Sequence, residues 1–335
     1  MPKPELGTVL VTGGSGFVGS ALVPKLLAAG HRVRSYDRCL FGDDVLEPWR
    51  SNPGLEEIKG DLRDADLVAR SLEGVDAVVH LACVSNDPSF DLDPVTGKAV
   101  NLDATLSLID RARSQGVRRF VFASSSSVYG LREEPEITED LKPEPLTGYS
   151  RYKLEAEEYL FGRGGQGFTV TALRPATVCG WARRLRLDLV VNIFATQAYY
   201  KKKITLFGGS QKRPNIHIED IADCYVEFLR YPSDKIHRRA YNVGHGNHTL
   251  AELGAIVKEA LADPAIEIVS IPTDDKRSYH ISSERIRREL GYVASRPIGE
   301  AVRALAAAFR SGLVKDALDN PLYYNARALK ERCPR

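Results

Sequence analysis

Two stretches of this 335-residue chain carry residues whose types and spacing suit chemistry. The first is Thr12-Gly13-Gly14-Ser15-Gly16-Phe17-Val18-Gly19, in which Gly13, Gly16 and Gly19 have the spacing GxxGxxG. Glycines there permit a tight turn and let the backbone approach a pyrophosphate. They also let a helix pack close, with its N-terminus facing the phosphates. Phe17 and Val18 open that helix and join the three glycines as candidate cofactor contacts. Asp37 follows 18 residues after Gly19. A carboxylate there accepts from both ribose hydroxyls and repels a 2′-phosphate, which favours NAD over NADP, although Arg38 stands beside it. The second stretch is Gly148-Tyr149-Ser150-Arg151-Tyr152-Lys153. Tyr149 and Lys153 are four apart and share a helix face. A phenol, with a pKa of about 10, is a poor base at neutral pH. A nearby ammonium favours the phenolate, and so does a positive nicotinamide ring. Tyr149 can then take a proton from a substrate hydroxyl as hydride leaves the carbon, while Lys153 can also hold the nicotinamide ribose. Tyr152 competes for the role but has no lysine four residues on.

These residues need elements to hold them. Short apolar runs alternate with helical stretches through the first half. Strands are expected at Thr8–Thr12, Arg32–Asp37, 57–59, 76–82, 118–123 and 168–174. Helices are expected at 16–29, 65–72, 94–115 and 148–161. This alternation means βαβ crossovers and a parallel sheet covered on both faces. A ligand then sits beyond the carboxyl ends of the strands. The glycine turn, Asp37, His80, the run Ser124-Ser125-Ser126-Ser127 and Arg174 all fall at that edge. Asp61 and Leu62, after the third strand, can border the adenine, although Asp61 also suits a helix N-cap. After about residue 176 the pattern changes. Arg183-Arg184-Leu185-Arg186 is basic and irregular, helices are expected at 188–200, 218–230, Leu250–Leu261 and 283–290, and 241–244 is a short strand with a turn. This half reads as a smaller second lobe.

Composition is ordinary: 43% hydrophobic, 27% charged, net charge +2. A charge so near zero argues for neither nucleic acid nor an anionic membrane as partner. No apolar run approaches the roughly 20 residues that span a bilayer, and the start lacks a signal-peptide apolar core. Five cysteines, Cys39, Cys83, Cys179, Cys224 and Cys333, are scattered without CxxC or metal-ligand spacing. The expectation is a reduced, cytoplasmic protein with no structural metal.

Taken in order, TGGSGFVG, the aspartate after strand two, GDLRD at 60–64, HLA at 80–82, SSSSVYG, YSRYK, LRPATVCG at 173–180, HIEDIA at 217–222 and YNVG at 241–244 resemble the extended short-chain dehydrogenase/reductases of the nucleotide-sugar epimerase and dehydratase group. The resemblance covers nearly the whole chain. It implies an α/β fold, a Rossmann doubly wound parallel sheet with a smaller C-terminal α/β substrate-binding lobe. Residues 1–176 would bind NAD. Residues 177–335 would mainly bind substrate, with some segments returning to the first domain. It adds Leu81 and Ala82 to the cofactor contacts. It places the catalytic hydroxyl four residues before the tyrosine of VYG, at Ser125, leaving Ser124 as a backbone-capping hydroxyl. It implies that Arg213 pairs with a nucleotide diphosphate, with Arg277 a second candidate, and that Asn101 contacts nearby backbone. Ser85, Asn86, Asp87, Ser126, Ser127 and Thr177 would face the sugar. His217 and Asp220 would orient a helix or the lobe junction. A homodimer through the helices near 94–115 and 148–161 is the family habit.

The resemblance is less specific for the reaction. Dehydratases of the group carry Asp-Glu just after the catalytic threonine, and related decarboxylases a nearby Glu. Here Ser126 and Ser127 cannot supply a carboxylate. That favours hydride transfer alone: a nucleotide-sugar 4-epimerase, or else a net oxidoreductase acting as 4-ketoreductase or sugar oxidase. A 4,6-dehydratase and a non-enzymatic NAD-binding protein rank below both.

Overall fold

The contiguous Val-Leu-Val and Phe-Val-Phe runs suit strands buried on both faces, as in a covered parallel sheet. In the computed structural model, which describes residues 5–273 and 278–332, they form its centre. The strands are β1 (Thr8–Thr12), β2 (Arg32–Asp37), β3 (Leu55–Lys59), β4 (Ala77–His80), β5 (Arg119–Ala123), β6 (Thr169–Pro175), β7 (Thr177–Cys179), β8 (Lys203–Phe207), β9 (Lys212–His217), β10 (Arg239–Val243), β11 (Gly246–Thr249) and β12 (Glu267–Ile271). Seven of them make one sheet in the order β10-β6-β5-β4-β1-β2-β3, with every pairing parallel. Its seventh strand, β10, comes from far beyond residue 176. Side chains alternate between two cores: Val9 and Val11 pack with the helices Phe17–Ala28 and Ile218–Phe228, and Leu10 packs with Thr105–Ser114 and Gly148–Arg163.

A third core joins the helices Val190–Lys201, Leu250–Leu261 and Ile298–Arg310. Beside it lie a three-stranded sheet, β11-β9-β7, and a parallel pair, β12-β8. The helix expected at 94–115 is interrupted. It runs as Pro94–Lys98, a wider π-helical turn Ala99–Ala104, and Thr105–Ser114. The cause is local: Asn101 turns its amide to the Val84 backbone, and the Thr105 hydroxyl donates back to Val100 O at 3.3 Å.

Strand order reverses beside β1, where β2 goes one way and β4 the other. The carboxyl ends of β1, β2, β4 and β5 therefore open onto a crevice. Among the described residues, no helix is long and apolar enough to cross a membrane, and no His, Cys, Asp or Glu group is arranged to hold a metal.

Candidate active site

A cleft of about 1450 Å³ runs along that crevice toward the third core, where Val190, Ile193, Phe194 and Leu250 line it. Pockets for a single drug-sized ligand occupy about 300–1,000 Å³, so this one has room for two. Its floor is the glycine turn. Gly13 has φ of 75°, and a Cβ there would sit 2.8 Å from the Ala82 backbone nitrogen. A Cβ on Gly19 would run into the Gly13 carbonyl oxygen. Both positions therefore require glycine. Gly16, Phe17, Val18, Leu81 and Ala82 line the same wall. The turn leaves a backbone cradle at the start of a 12-residue helix, which suits a diphosphate.

Asp37 lies at the end of β2 with one oxygen accepting Ser15 N–H at 3.1 Å and the other Cys39 N–H at 2.8 Å. Desolvation raises its pKa, against those bonds and the fields of Arg184 and Arg38. Arg38 is turned to Asp61, at 3.2 Å. Asp61 does not cap a helix. Asp64 does, accepting Leu67 N–H at 3.0 Å, while Asp61 holds Arg63 and Arg38 at the cleft edge beside Leu62.

Ser125, Ser126, Ser127, Tyr149 and Lys153 all line the cleft. Thr147 and Ser150 form a capping box at the start of the helix Gly148–Arg163, which orients Tyr149 and Lys153. The capping role expected of Ser124 belongs to Ser125, whose Oγ accepts Ser127 N–H at 3.1 Å. The turn Ser126–Tyr129 starts just after Ser125, and Ser124 Oγ is buried without a hydrogen-bond partner. The Ser125 hydroxyl stands close enough to the Tyr149 phenol to favour its phenolate through a hydrogen bond.

Desolvation, Cys83 and Asp87 raise the pKa of Tyr149; Arg186 and the Ser125 bond oppose them. Lys153 Nζ, one helical turn on from Tyr149, donates to Ala123 O at 2.7 Å and lies over the Phe122 ring, and Arg186 is a further cation whose field lowers the Tyr149 pKa.

His80 and Arg174 fall at the right strand ends but face away from the cleft. His80 is buried between Thr12 Oγ1 at 2.6 Å and Thr105 Oγ1 at 3.0 Å, stacked on Phe122. Burial pushes its pKa down to about 3, so it is neutral and structural. Arg174 pairs with buried Glu157 and donates to the Tyr129 hydroxyl at 2.7 Å.

On the substrate side, Ser85, Asn86, Thr177 and Arg213 line the cleft. Arg213 packs its guanidinium on the Tyr279 ring. Arg277 lies outside the described residues. Asn101 holds Val84 through both amide atoms, at 2.7 and 3.0 Å. His217 caps its helix by accepting Glu219 N–H, and Asp220 binds Arg296.

Among the cleft residues that sequence reasoning left unassigned are Arg184, Arg186, Asp188 and Asn325. Arg186 is bidentate on Asp188, at 2.9 and 3.2 Å. Asn325 donates its backbone N–H to Asp188 and its amide to Ser85 Oγ at 2.7 Å. The irregular Arg183–Arg186 run was the only signal in the sequence. Nothing near Asn325 points to its partners, which lie more than a hundred residues away.

Residues 9–244 match the NAD dependent epimerase/dehydratase family. The UDP-glucose 4-epimerase of Mycolicibacterium smegmatis is 31% identical over 311 residues, 90% of this chain and 98% of that protein. A protein of Sinorhizobium fredii, y4nG, is 32% identical over 269 residues, and the match spans only 63% of its length. Among solved structures, DesIV, the dTDP-glucose 4,6-dehydratase of Streptomyces venezuelae with NAD and TYD bound, superposes with a TM-score of 0.82 at 26% identity, over 94% of this chain and 99% of that one.

Proposed function

The chain belongs to the NAD dependent epimerase/dehydratase family, and from that premise we propose that it is an NAD-dependent nucleotide-sugar 4-epimerase. NAD, held by the glycine turn, Asp37 and Lys153, supplies reversible hydride acceptance. Ser125 hydrogen-bonds the sugar 4-oxygen. Tyr149 takes the hydroxyl proton as the carbon is oxidised to a ketone, and returns it after the sugar has presented its other face.

The observation that carries this reading is the chemistry of the turn after β5. Loss of water needs a positioned acid and base, and the groups beside Ser125 on the cleft wall are the hydroxyls of Ser126 and Ser127. Asp87, whose field reaches Tyr149, is engaged by the Thr147 hydroxyl at 2.6 Å, and Asp188 of the cleft lining is held by Arg186 and Asn325. Arg213, at the far end of the cleft, suits the nucleotide diphosphate.

The test is to incubate the purified protein and NAD with UDP-, GDP- and dTDP-sugars and follow the C4 configuration by NMR. Inversion at C4 is expected for one of them. If the whole panel is unchanged the reading fails, and stoichiometric consumption of added reduced cofactor replaces it with a net oxidoreductase. A homodimer is expected through the helices Thr105–Ser114 and Gly148–Arg163, which pack together at the surface; light scattering after gel filtration checks it.

A further inference from the structure

We propose that Arg184 is a cofactor-binding residue, holding the diphosphate of NAD beside the glycine turn, with Asn325 of the C-terminal helix setting its position. The inference rests on the reading of this cleft as an NAD site.

Arg184 lines the cleft yet is only 4% exposed. Its backbone N–H reaches Ser20 Oγ at 3.4 Å, and that hydroxyl donates to Phe17 O at 3.0 Å. This fixes Arg184 against the first turn of the helix that the glycines open. The guanidinium carbon lies 3.7 Å from the centre of the Phe41 ring, in the segment following β2. The side chain therefore sits where the glycine turn and the Asp37 loop meet.

Its charge is not neutralised there. Nη1 donates to Leu185 O at 3.4 Å, Nη2 donates to Asn325 Oδ1, and Nε is buried without a partner. Both partners are neutral. Asp37 gives its oxygens to Ser15 and Cys39, and Asp188 is gripped by Arg186. A buried cation without an anion is costly, and the guanidinium fork matches phosphate oxygens. Burial and the neighbouring Arg186 push the Arg184 pKa down to about 9, against the pull of Asp188 and Asp37. The group is thus still cationic at neutral pH, and an anion in the cleft relieves the cost.

The C-terminal helix Asn325–Arg332 closes the arrangement. Asn325 holds Arg184 at one end, and Arg332 donates to Leu40 O at 2.7 Å at the other.

The experiment measures binding of NAD, ADP-ribose, adenosine and UDP to the wild-type protein, Arg184→Met and Asn325→Ala, by calorimetry and ligand-induced thermal shift, with NAD carried through purification quantified after denaturation. Arg184→Met is expected to weaken NAD and ADP-ribose by about 10- to 100-fold, leaving adenosine and UDP unchanged. Asn325→Ala should weaken the same two ligands by a smaller factor. Urea midpoints establish that both variants are folded; if Arg184→Met is not, Asn325→Ala carries the test. Wild-type affinity for ADP-ribose in the folded variants would overturn the proposal. So would an equal loss of adenosine, or a loss confined to UDP, which would assign the charge to the substrate's diphosphate. A wild-type protein that binds neither NAD nor ADP-ribose would sink the NAD reading as well.

Discussion

Tyr149 sits in opposing fields. Desolvation, Cys83 and Asp87 favour the neutral phenol, while Arg186 and the Ser125 hydroxyl favour the phenolate. A base must be deprotonated to accept the substrate proton, so activity rises with pH through the Tyr149 pKa. Removing Arg186 takes away a cation whose field lowers the Tyr149 pKa, so that pKa rises. Arg186→Met should therefore move the acid limb of the kcat profile upward by about one pH unit. A limb that stays in place would leave Lys153 as the cation that sets the Tyr149 pKa. Tyr149→Phe removes the proton acceptor itself and should lower kcat by about 10²–10⁴-fold. The thermal shift of this variant with NAD should be retained, because losing the phenolic oxygen leaves the glycine turn untouched; the two measurements together separate loss of chemistry from loss of cofactor.

The turn after β5 is aimed by a buried network joining three elements. Tyr129 follows the serines. Its hydroxyl donates to Asn242 Oδ1 on β10 at 2.8 Å and accepts from Arg174 on β6. Arg174 in turn pairs with Glu157 on the helix that carries Tyr149 and Lys153. Arg174 is 5% exposed and Glu157 1%. Removing one partner strands a buried charge, so Glu157→Ala should cost about 3–5 kcal/mol, read from urea unfolding. A cost near that of a surface pair would refute the network. The chain announced the strands of this arrangement and hid the network. β1 and β2 have the bounds read from their β-branched runs, which end at Gly13 and after Asp37. β9, Lys-Arg-Pro-Asn-Ile-His, shows neither alternation nor an apolar run, because its pairing with β7 and β11 makes it a strand. The helix Ile298–Arg310, absent from the helices expected above, buries Ile298, Ala301, Val302, Leu305 and Phe309 at three- and four-residue steps. The same division holds at the site. The glycine turn and the Tyr149–Lys153 pair are local and were legible. The cluster of Arg184, Arg186, Asp188 and Asn325 depends on contacts 137 and 141 residues apart, which no window of sequence contains.

Stability against acid belongs to the molecule as a whole. Burial lowers the pKa of His31, His80 and His217, His80 to about 3. The unfolded chain binds protons at these histidines below pH about 6.5, and the native fold excludes them. The unfolded state then holds more protons, so stability falls as pH drops, by about 1.4 kcal/mol per unit for His80 alone until its folded pKa is reached. Asp61, Asp76 and Asp188, lowered in the fold, lose their contribution further down, as pH passes their folded values. Asp37 and Glu139, raised by burial, act with the opposite sign and earlier: the fold takes up their protons above the ordinary carboxylate values, which offsets part of the histidine loss. The interval below neutrality is therefore governed by the histidines, and His80 dominates it because it ties β4 to both β1 and the helix Thr105–Ser114. His80→Gln keeps a side chain that can hydrogen-bond both threonines and removes the titration. It should be less stable than the wild type at pH about 7.5, where the imidazole packs better, and lose stability less steeply toward pH about 5. Urea midpoints across that range test it: parallel slopes would mean that His80 binds its proton in the native fold as it does in the unfolded chain, and that other groups set the acid sensitivity.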